Sequence, residues 1–517
     1  MSILNVKNVT HGFGSRSILE DVSFRLLKGE HVALVGANGE GKSTFLNIIT
    51  GKLMPDEGTV QWSNRVTVGY LDQHSALTPG TTIRDNLRLA FNHLFDLEKE
   101  MMEIYEKVAE VDEDEMNKMM EDAAEIQTIL DHSGFYTLDA KIEEVAQGLG
   151  LGDIGLERKV DELSGGQRTK VLLTKLLLEN PTILILDEPT NYLDVEHIEW
   201  LTRYLQNYEN AFILVSHDIP FLNSVCNLIY HVENCQLTRY VGSYDEFKRV
   251  YELKKRQQEQ AYERQQKEIE KLEDFIARNK ARATTGMARS RQKQLDKMEI
   301  IEKQHEKPKP IFNFKPYKAP SRFLIEAEDL VIGYDTPLTQ PLNFKLERNQ
   351  KVAICGVNGL GKSTLLKTLL GVIKPISGKV IFGENVKYGY FEQEDSRDNN
   401  TVALDYIWNL YPSMANNEVR TALAKCGLTT DHITSPMKVL SGGENAKVRL
   451  CKILMEEHNL LVLDEPTNHL DPEAKDELEK AIREFKGTVV IVCHEPYFYE
   501  SFVTDVWNVE DWTTKVI

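Results

Sequence analysis

Apolar residues are grouped along this chain as short continuous runs and as spaced stripes. Six short runs are bounded by polar residues: VALV, ILIL and FILV at 32–35, 183–186 and 212–215, then VAIC, LLVL and VVIV at 352–355, 460–463 and 489–492. Runs of this length predict buried parallel strands, and the helical patterns between them predict an α/β fold. No apolar run approaches the roughly 18 residues of a membrane-spanning helix, so none is predicted.

The runs belong to an internal repeat. The repeated motifs are GANGEGKST at 36–44 with GVNGLGKST at 356–364, LSGGQ at 163–167 with LSGGE at 440–444, and LDEPTNYLD at 186–194 with LDEPTNHLD at 463–471. The first pair is 320 positions apart and the later pairs are 277 apart, so the first copy carries 43 extra residues between Gln73 and Ser164. The pattern predicts tandem domains at 1–244 and 321–517, joined by a linker at 245–320.

The 43-residue insert has a helical stripe. Apolar residues recur at steps of three and four before and after an acidic break at 112–115: Leu97, Met101, Ile104, Val108 and Val111, then Met116, Met119, Ala123, Ile126 and Leu130. This spacing predicts an antiparallel helical hairpin, an arm at about 94–135. From Asp96 to Asp131 the arm has fourteen acidic and three basic side chains, which suits a basic protein surface. An acidic hairpin that contacts only solvent explains the pattern equally well.

The linker lacks strand-like runs and has the composition of a charged helix. Its narrow apolar stripe suits a single partner helix and consists of Ile269, Leu272 and Ile276. A break is predicted at 284–286, after which the helix resumes through Met298 and Ile301 and stops before Pro308 and Pro310. The linker is therefore predicted to be a long helical hairpin.

The turn of this hairpin is basic. Between Phe275 and Leu295 there are six basic residues and no acidic one: Arg278, Lys280, Arg282, Arg289, Arg291 and Lys293. The formal net charge of −19 argues against nucleic acid as a partner of the chain as a whole. Most charged helical runs are merely solvated, but the exclusion of acids here favours a tip, at about 278–293, that contacts phosphate backbones.

Composition is that of a globular protein in a reducing compartment. The chain has 517 residues, too many for one core, and 41% of them are hydrophobic. Its six cysteines are scattered without a C-x-x-C pair, which argues against a disulfide framework or a zinc module. The N-terminus has no basic stretch followed by an apolar run, so secretion is not predicted and a cytoplasmic location is expected.

The two glycine-lysine motifs predict phosphate binding. Each G-x-x-x-x-G-K-S follows an apolar strand and precedes a helical pattern. The glycines let backbone N–H groups close around phosphates, and Lys42 and Lys362 place a charge on the terminal phosphates. Ser43 and Ser363 offer hydroxyl groups to Mg²⁺.

Paired acidic residues follow the second strand of each copy. Asp187 and Asp464 are expected to hold Mg²⁺ through water, and Glu188 and Glu465 to polarise the attacking water as general bases. A histidine after the next strand is placed to contact a γ-phosphate and orient that water; these residues are His217 and His494. Each acid alone could be a solvated strand end and each histidine a packed surface residue. Their repeated order favours the catalytic interpretation.

These residues together resemble the ATP-binding cassette ATPases, in which LSGGQ is the discriminating signature. The resemblance covers nearly the whole chain and implies an ATPase with two P-loop nucleotide-binding domains. It also implies head-to-tail docking, in which 164–167 complete the site on Lys362 and 441–444 the site on Lys42. Glu444 and Cys493 stand where glutamine and serine are common, and neither departure removes a phosphate or metal contact.

The resemblance assigns cofactor contacts residue by residue. Phe13 and Tyr334 stand where the family stacks an aromatic ring on adenine. The implied ATP-binding residues are Phe13, Gly36, Asn38, Gly39, Gly41, Lys42, Ser43, Thr44, Gln73, Ser164, Gly165, Gly166, Gln167, Tyr334, Gly356, Asn358, Gly359, Gly361, Lys362, Ser363, Thr364, Gln393, Ser441, Gly442, Gly443 and Glu444. The implied Mg²⁺ ligands are Ser43, Gln73, Asp187, Ser363, Gln393 and Asp464.

The arm and the linker hairpin make the chain similar to the ABC-F family, ribosome-associated translation ATPases, and to its YkpA/YbiT-like bacterial housekeeping branch. The resemblance implies that the linker enters the ribosomal E site, that its tip approaches P-site tRNA and the peptidyl-transferase centre, and that the arm meets the L1 stalk region. It implies rRNA and tRNA as partners of a monomer whose two domains pair with each other. Modulation or rescue of elongation is the expected role, and antibiotic resistance is left open.

A cytosolic ATPase subunit of an ABC transporter is the rival interpretation. It predicts a surface groove for a coupling helix of a permease and gives no reason for a basic hairpin between the domains. A DNA-repair or chromosome ATPase would need zinc cysteines or far longer coiled coils. The ribosome interpretation accounts for more of the sequence.

Overall fold

The computed structural model of the protein describes residues 2–14, 16–64, 66–71, 77–108, 113–279, 285–298, 309–334, 336–392, 400–468 and 470–512. Four predicted functional residues lie outside these ranges: Gln73, Lys280, Arg282 and Gln393. The side chain of Arg289 lies outside the described part as well.

The first domain is an α/β unit with two sheets. Its elements are β1 (Ser2–Phe13), β2 (Arg16–Leu27), β3 (His31–Val35), α1 (Lys42–Ile49), β4 (Glu57–Trp62), β5 (Val68–Leu71), α2 (Ile83–Arg88), α3 (Asn92–Lys107), α4 (Glu113–His132), α5 (Leu138–Gly148), α6 (Gly165–Glu179), β6 (Ile183–Asp187), α7 (Val195–Gln206), β7 (Ala211–Val215), α8 (Ile219–Val225), β8 (Leu228–Glu233) and β9 (Gln236–Val241). The larger sheet has the order β5-β6-β7-β3-β8-β9, and β2-β1-β4 form a separate antiparallel sheet.

The apolar runs form the central strands because both faces of the larger sheet are covered. Successive side chains of a strand point to opposite faces. On β3, Val32 and Leu34 accordingly pack in the core that contains α1, whereas Ala33 and Val35 pack in the core that contains α6. The strands β5, β6, β7, β3 and β8 run parallel, so their carboxyl ends share one edge.

The second domain repeats this arrangement. Two helices, α9 (Tyr244–Asn279) and α10 (Thr285–Asp296), precede it. Its elements are β10 (Lys315–Pro316), β11 (Phe323–Val331), β12 (Leu342–Glu347), β13 (Lys351–Cys355), α11 (Lys362–Leu369), β14 (Ser377–Phe382), β15 (Tyr388–Phe391), α12 (Ala403–Leu410), α13 (Asn416–Lys425), α14 (Thr430–Thr434), α15 (Gly442–Met455), β16 (Glu457–His458), β17 (Leu460–Asp464), α16 (Pro472–Glu484), β18 (Thr488–Val492), α17 (Pro496–Tyr499) and β19 (Asp505–Asn508). The parallel sheet β15-β17-β18-β13-β19 has the same order of equivalent strands as the first domain.

The arm is the predicted helical hairpin. Helix α3 packs on α4, and the stripe buries Met101, Ala123, Ile126 and Leu130. Met116, which the stripe included, is 36% exposed, so that part of the prediction is wrong. It lies in the first turn of α4, at the distal end of the hairpin.

The linker contains two packed helices, α9 and α10. Leu272 of the predicted stripe is buried, with Ile269 and Ile276 half-buried. The helix resumes earlier than predicted, since Thr285 and Gly286 already belong to α10, and it ends at Asp296 rather than continuing through Met298.

Residues 309–320, which the sequence assigned to the linker, lie against the second domain. Phe312 and Phe314 are buried in its core, and β10 pairs with β16. Two aromatic side chains with a large apolar area favour burial in the domain over exposure in a linker, to which the prediction assigned them. In the part of the chain that the structure describes, no helix is long and apolar enough to span a membrane.

Candidate functional site

Each phosphate loop leads from a buried strand into a helix. In the first domain β3 precedes the loop, and α1 begins at Lys42. Lys42 is buried, and its Nζ donates hydrogen bonds to the carbonyls of Gly36 at 2.7 Å and Ala37 at 3.1 Å. Lys362 repeats both bonds at the same distances in the second domain. Burial lowers the pKa of both lysines, and nearby carboxylates oppose that shift.

Glycine is required at two positions of the first loop. Gly36 has φ 155° and Gly41 has φ 103°, and both values favour a residue without a Cβ. A Cβ on Gly36 would lie 2.5 Å from the carbonyl oxygen of Val232, and one on Gly41 would lie 2.6 Å from Ile18 Cγ2. The loop can therefore pack this closely only because side chains are absent.

The acidic pairs lie at the carboxyl edge of each parallel sheet. Asp187 and Asp464 end β6 and β17, and the following glutamates adopt positive φ, 50° at Glu188 and 48° at Glu465. This left-handed conformation is uncommon for glutamate and turns the chain sharply at the strand end. Both copies use it, which indicates a shared geometric requirement.

The two histidines that the sequence predicted to be catalytic lie beside these glutamates. His217 Nε2 is 3.4 Å from Glu188 Oε1, and His494 Nε2 is 3.4 Å from Glu465 Oε1. The backbone N–H of His217 also donates to Glu188 Oε2 at 3.3 Å. A buried carboxylate next to an imidazole and a phosphate loop can accept a proton from water.

The surroundings of the two glutamates differ. Burial and the charge of Asp187 raise the pKa of Glu188 to about 8. Burial also acts to raise the pKa of Glu465, but His494, Lys362 and Asn468 together outweigh it, so this pKa lies below the usual glutamate value. The Asn468 amide donates to Glu465 Oε2 at 2.6 Å.

The signature residues begin helices in both domains. Ser164 caps α6, and its backbone N–H donates to Gln167 Oε1 at 3.0 Å. Ser441 caps α15 in the same way, with its N–H donating to Glu444 Oε2 at 2.9 Å. Glutamate thus replaces glutamine as the acceptor in this capping box. The exposed Gly165 and Gly442 follow at the first helical positions.

The two domains meet through Asp194, the last residue of the LDEPTNYLD motif. Its Oδ1 accepts a hydrogen bond at 2.9 Å from the backbone N–H of Asn358, in the phosphate loop of the second domain. Its Oδ2 lies 3.6 Å from Lys170 Nζ, near the start of α6. The contact joins the signature helix of one domain to the phosphate loop of the other, the pairing that head-to-tail docking requires.

A cavity of about 650 Å³ lies between the domains. Both predicted bases and both histidines line it, together with Lys475 and Glu495. Lys475 is buried, and its Nζ contacts Glu495 Oε1 at 2.6 Å. The two candidate sites therefore open onto a shared space.

The predicted adenine contacts lie at the surface. Phe13 is 57% exposed and Tyr334 66% exposed, as an aromatic ring that is free to stack on a base would be. The Phe13 ring lies edge-on to His11, with centroids 5.0 Å apart.

Sequence reasoning missed three residues of this site: Asp194, Lys475 and Asn468. Asp194 and Asn468 fall inside the repeated LDEPTN-x-LD motif, so their recurrence was a usable signal. Lys475 has no such signal, because the residue 277 positions earlier is Ile198. Only the docking of the two domains brings it to the cavity.

Comparisons with known proteins agree with this geometry. A family model described as "ABC transporter" matches residues 19–191 and 339–468, and a second with the same description matches 230–314. The Bacillus subtilis "Uncharacterized ABC transporter ATP-binding protein YfmM" is 62% identical over the full length of both chains. "ABC transporter F family member 2" of Arabidopsis thaliana is 35% identical over 98% of this chain and 75% of that protein.

The chain belongs to the ABC-F family. Each of its two domains matches the model of an ABC cassette, and the full-length match to an ATP-binding protein makes this protein an ATPase with tandem cassettes. The Escherichia coli O157:H7 "Probable ATP-binding protein YbiT" is 33% identical over 97% of this chain and 95% of that protein. Archaeal aABCE1, solved with the stalk protein aP1, has the same fold, with a TM-score of 0.56, 19% identity, and coverage of 97% of this chain and 87% of that one.

Proposed function

We propose that this ABC-F protein is a cytoplasmic ribosome-binding ATPase that modulates or rescues elongation, with its linker tip directed from the E site toward P-site tRNA and the peptidyl-transferase centre. The hairpin of α9 and α10 between the cassettes carries the proposal. A helix of 36 residues is about 54 Å long at 1.5 Å per residue, enough to reach far beyond the cassettes. ATP hydrolysis alone gives no reason for such an extension.

The charge of the hairpin suits RNA. The described part of the tip carries the exposed residues Arg278, Arg291 and Lys293, and Arg291 Nη1 donates to the neutral Gln294 Oε1 at 3.0 Å. Arg278 lies 3.1 Å from Asp274, an exposed pair that costs little to exchange for a phosphate. Phosphate contacts position a protein on RNA without reading its sequence, which suits rRNA and the tRNA backbone.

The arm has the opposite charge and suits a basic ribosomal protein near the L1 stalk. Besides its acidic residues it exposes large apolar side chains, with Met102 at 52% and Ile129 at 47%. An acidic surface with exposed apolar residues matches a basic protein rather than a nucleic acid.

Residue roles in hydrolysis follow from the paired cassettes. Glu188 and Glu465 accept the proton of the attacking water, and His217 and His494 orient it. The exposed N-termini of α6 and α15 are directed to the γ-phosphate of the opposite cassette, because unpaired helix N–H groups bind anions. Nucleotide binding at both sites closes the cassettes, and hydrolysis releases them.

The residues fit a magnesium ion. Asp464 is fully buried, and neither of its oxygens makes a hydrogen bond to another described residue by distance and angle. Burial raises its pKa to about 7, while the nearby Ser363 hydroxyl acts to lower it. A buried carboxylate in these surroundings is matched by a divalent cation. Ser363 and Asp464 would hold Mg²⁺, as would Ser43 and Asp187, and it would neutralise charge on the β- and γ-phosphates.

Ribosome sedimentation tests the proposal. The double variant Glu188→Gln, Glu465→Gln should bind ATP without hydrolysing it and should cosediment with ribosomes only when ATP is present. A further Lys42→Ala, Lys362→Ala change is the control and should abolish cosedimentation. The proposal fails if the trapped variant stays in the supernatant at physiological salt, or if it is recovered from membranes with an integral protein.

The tip has its own test with a matched control. Reversing the charge at Arg282, Arg289 and Arg291 should weaken cosedimentation while leaving basal ATPase activity unchanged. The control reverses three exposed basic residues on the shaft of α9, namely Arg264, Lys267 and Lys271, for the same change in net charge. Equal loss of binding in both triple variants would show that overall charge, and not the tip, drives binding.

A further inference from the structure

The second signature contains a buried carboxylate at the N-terminus of α15, the helix end that we propose binds the γ-phosphate. Glu444 is 8% exposed and lies in the first turn of α15. One of its oxygens, Oε2, accepts from the Ser441 N–H, as Gln167 does for Ser164 in the first cassette. Unlike the glutamine amide, the carboxylate brings a negative charge toward the γ-phosphate. Some group must therefore offset that charge.

His432 contacts the other oxygen of this carboxylate. Its Nε2 lies 3.1 Å from Glu444 Oε1, and its side chain is 12% exposed. The backbone N–H of Thr429 donates to His432 Nδ1 at 3.4 Å. An imidazole whose Nδ1 accepts a hydrogen bond carries its proton on Nε2 when neutral. A chain of polar contacts therefore runs from Thr429 through His432 and Glu444 to Ser441.

The first cassette lacks the histidine. Its register with the second is fixed by isolated bridges, Thr82 with Lys159 and Val402 with Pro436, whose later members are 277 positions apart. The residue equivalent to His432 is therefore Gly155, which has open space around it. Glycine accompanies the neutral Gln167, and histidine accompanies the charged Glu444. The two substitutions compensate one another.

We infer that His432 is a positioning residue that orients and offsets the charge of Glu444, so that Ser441 and the N-terminus of α15 can receive the γ-phosphate of ATP bound at Lys42. The inference goes beyond ribosome binding but uses the head-to-tail arrangement proposed above. His432 acts through Glu444 and does not itself contact nucleotide.

Binding of a fluorescent ATP analogue, mant-ATP, to the free full-length protein tests this role. A Lys362→Ala background leaves the Lys42 site as the tight one. There, His432→Ala should raise the Kd for mant-ATP on the order of tenfold, since it leaves Oε1 of a buried carboxylate without the imidazole that contacts it. His432→Gln, whose amide can donate to Glu444, should stay within about threefold of the parent.

The double variant His432→Ala, Glu444→Gln separates positioning from folding. It reproduces the pairing found in the first cassette and should restore binding to within about threefold of the parent. A merely structural loss of α14, whose N-terminal capping box includes His432, would not be repaired by a change on α15. Equal effects of His432→Ala with glutamate or glutamine at 444 would overturn the inference.

A Lys42→Ala background tests the arrangement separately. The remaining site is completed by the first signature, so His432→Ala should leave its Kd unchanged. If instead His432→Ala weakens mant-ATP binding in the Lys42→Ala background and not in the Lys362→Ala background, His432 still positions Glu444 and the head-to-tail pairing is wrong. Cosedimentation with ribosomes is not measured here, so failure of the translation role cannot be mistaken for either result.

Discussion

Replacing Asp194 tests whether the contact between the cassettes serves catalysis, stability or both. Asp194 is 5% exposed and accepts the 2.9 Å hydrogen bond from Asn358 in the opposite phosphate loop. Its other oxygen faces Lys170 at 3.6 Å and His197 at 3.9 Å. Asp194→Ala removes both the acceptor for Asn358 and the charge beside Lys170. Asp194→Asn keeps an acceptor for Asn358 but loses the charge.

The expected magnitudes differ for the two functions. Removing one partner of a buried ion pair costs about 3–5 kcal/mol, and the long distance from Asp194 to Lys170 places this pair at the lower end, about 3 kcal/mol. A hydrogen bond to a charged group contributes about 1.5–3 kcal/mol. If that contribution is made only when the opposite site is assembled, Asp194→Ala should lower kcat/KM at that site by about tenfold to a hundredfold.

A compensating change separates the two. Lys170→Met removes the buried cation, so the double variant Asp194→Ala, Lys170→Met should recover most of the free energy of unfolding lost in Asp194→Ala, measured by urea unfolding. Its ATPase activity should stay low, because the bond to Asn358 is still missing. Activity is measured in a Glu188→Gln background, so that only the site on Lys362 turns over.

The reasoning is refuted if the double variant hydrolyses ATP at the rate of the Glu188→Gln parent.

Asp471, the equivalent residue of the second cassette, provides a comparison, since it lies 2.7 Å from Lys447 Nζ and caps α16 by accepting from the Ala474 N–H at 2.9 Å. Asp471→Ala should therefore cost more stability than Asp194→Ala, because the ion pair is shorter and a helix cap is lost as well. The opposite order in urea would contradict the distances.

Three further predictions concern other parts of the chain. Burial lowers the pKa of His231 to about 4, so as pH falls below about 6.5 the unfolded chain binds a proton that the folded chain does not. The free energy of unfolding should therefore fall by about 3 kcal/mol by pH 4. Replacing the residue by His231→Phe should flatten this part of the curve of unfolding free energy against pH. Gly36→Ala should abolish ATP binding at the first site, measured with mant-ATP in a Lys362→Ala background, because its Cβ would lie 2.5 Å from a carbonyl oxygen; binding at the parent level would contradict the close approach. Leu130 is fully buried in the arm, so Leu130→Ala should destabilise the arm by about 2–5 kcal/mol, measured by hydrogen exchange, while leaving basal ATPase activity unchanged. Equal protection of α3 and α4 in variant and parent would show that other contacts stabilise the arm.

The sequence predicted best where local pattern and tertiary burial coincide. The six apolar runs became central strands, since a continuous run can be satisfied only by cover on both faces. The S-x-x-Q and S-x-x-E patterns became capping boxes because that bond is local. The predicted helix boundaries were wrong where they depended on a weak rule, such as a single glycine ending a helix. Gly286 is the second residue of α10, and a single glycine costs a helix only about 1 kcal/mol, too little to fix where the helix begins.

The difference between the two glutamates that we propose as general bases could not have been predicted from the motifs, because the motifs are the same. LDEPTN precedes both sites, yet Asn468 donates to Glu465, whereas the charge of Lys475, which comes from the other cassette, acts to lower the pKa of Glu188. The counterpart of Lys475 is Ile198, so only the second cassette supplies a cation at this position. Identical sequence thus gives unequal surroundings once each site is completed by a different partner. The Glu188→Gln and Glu465→Gln variants should therefore hydrolyse ATP at unequal rates, since each variant turns over only at the site of the remaining glutamate.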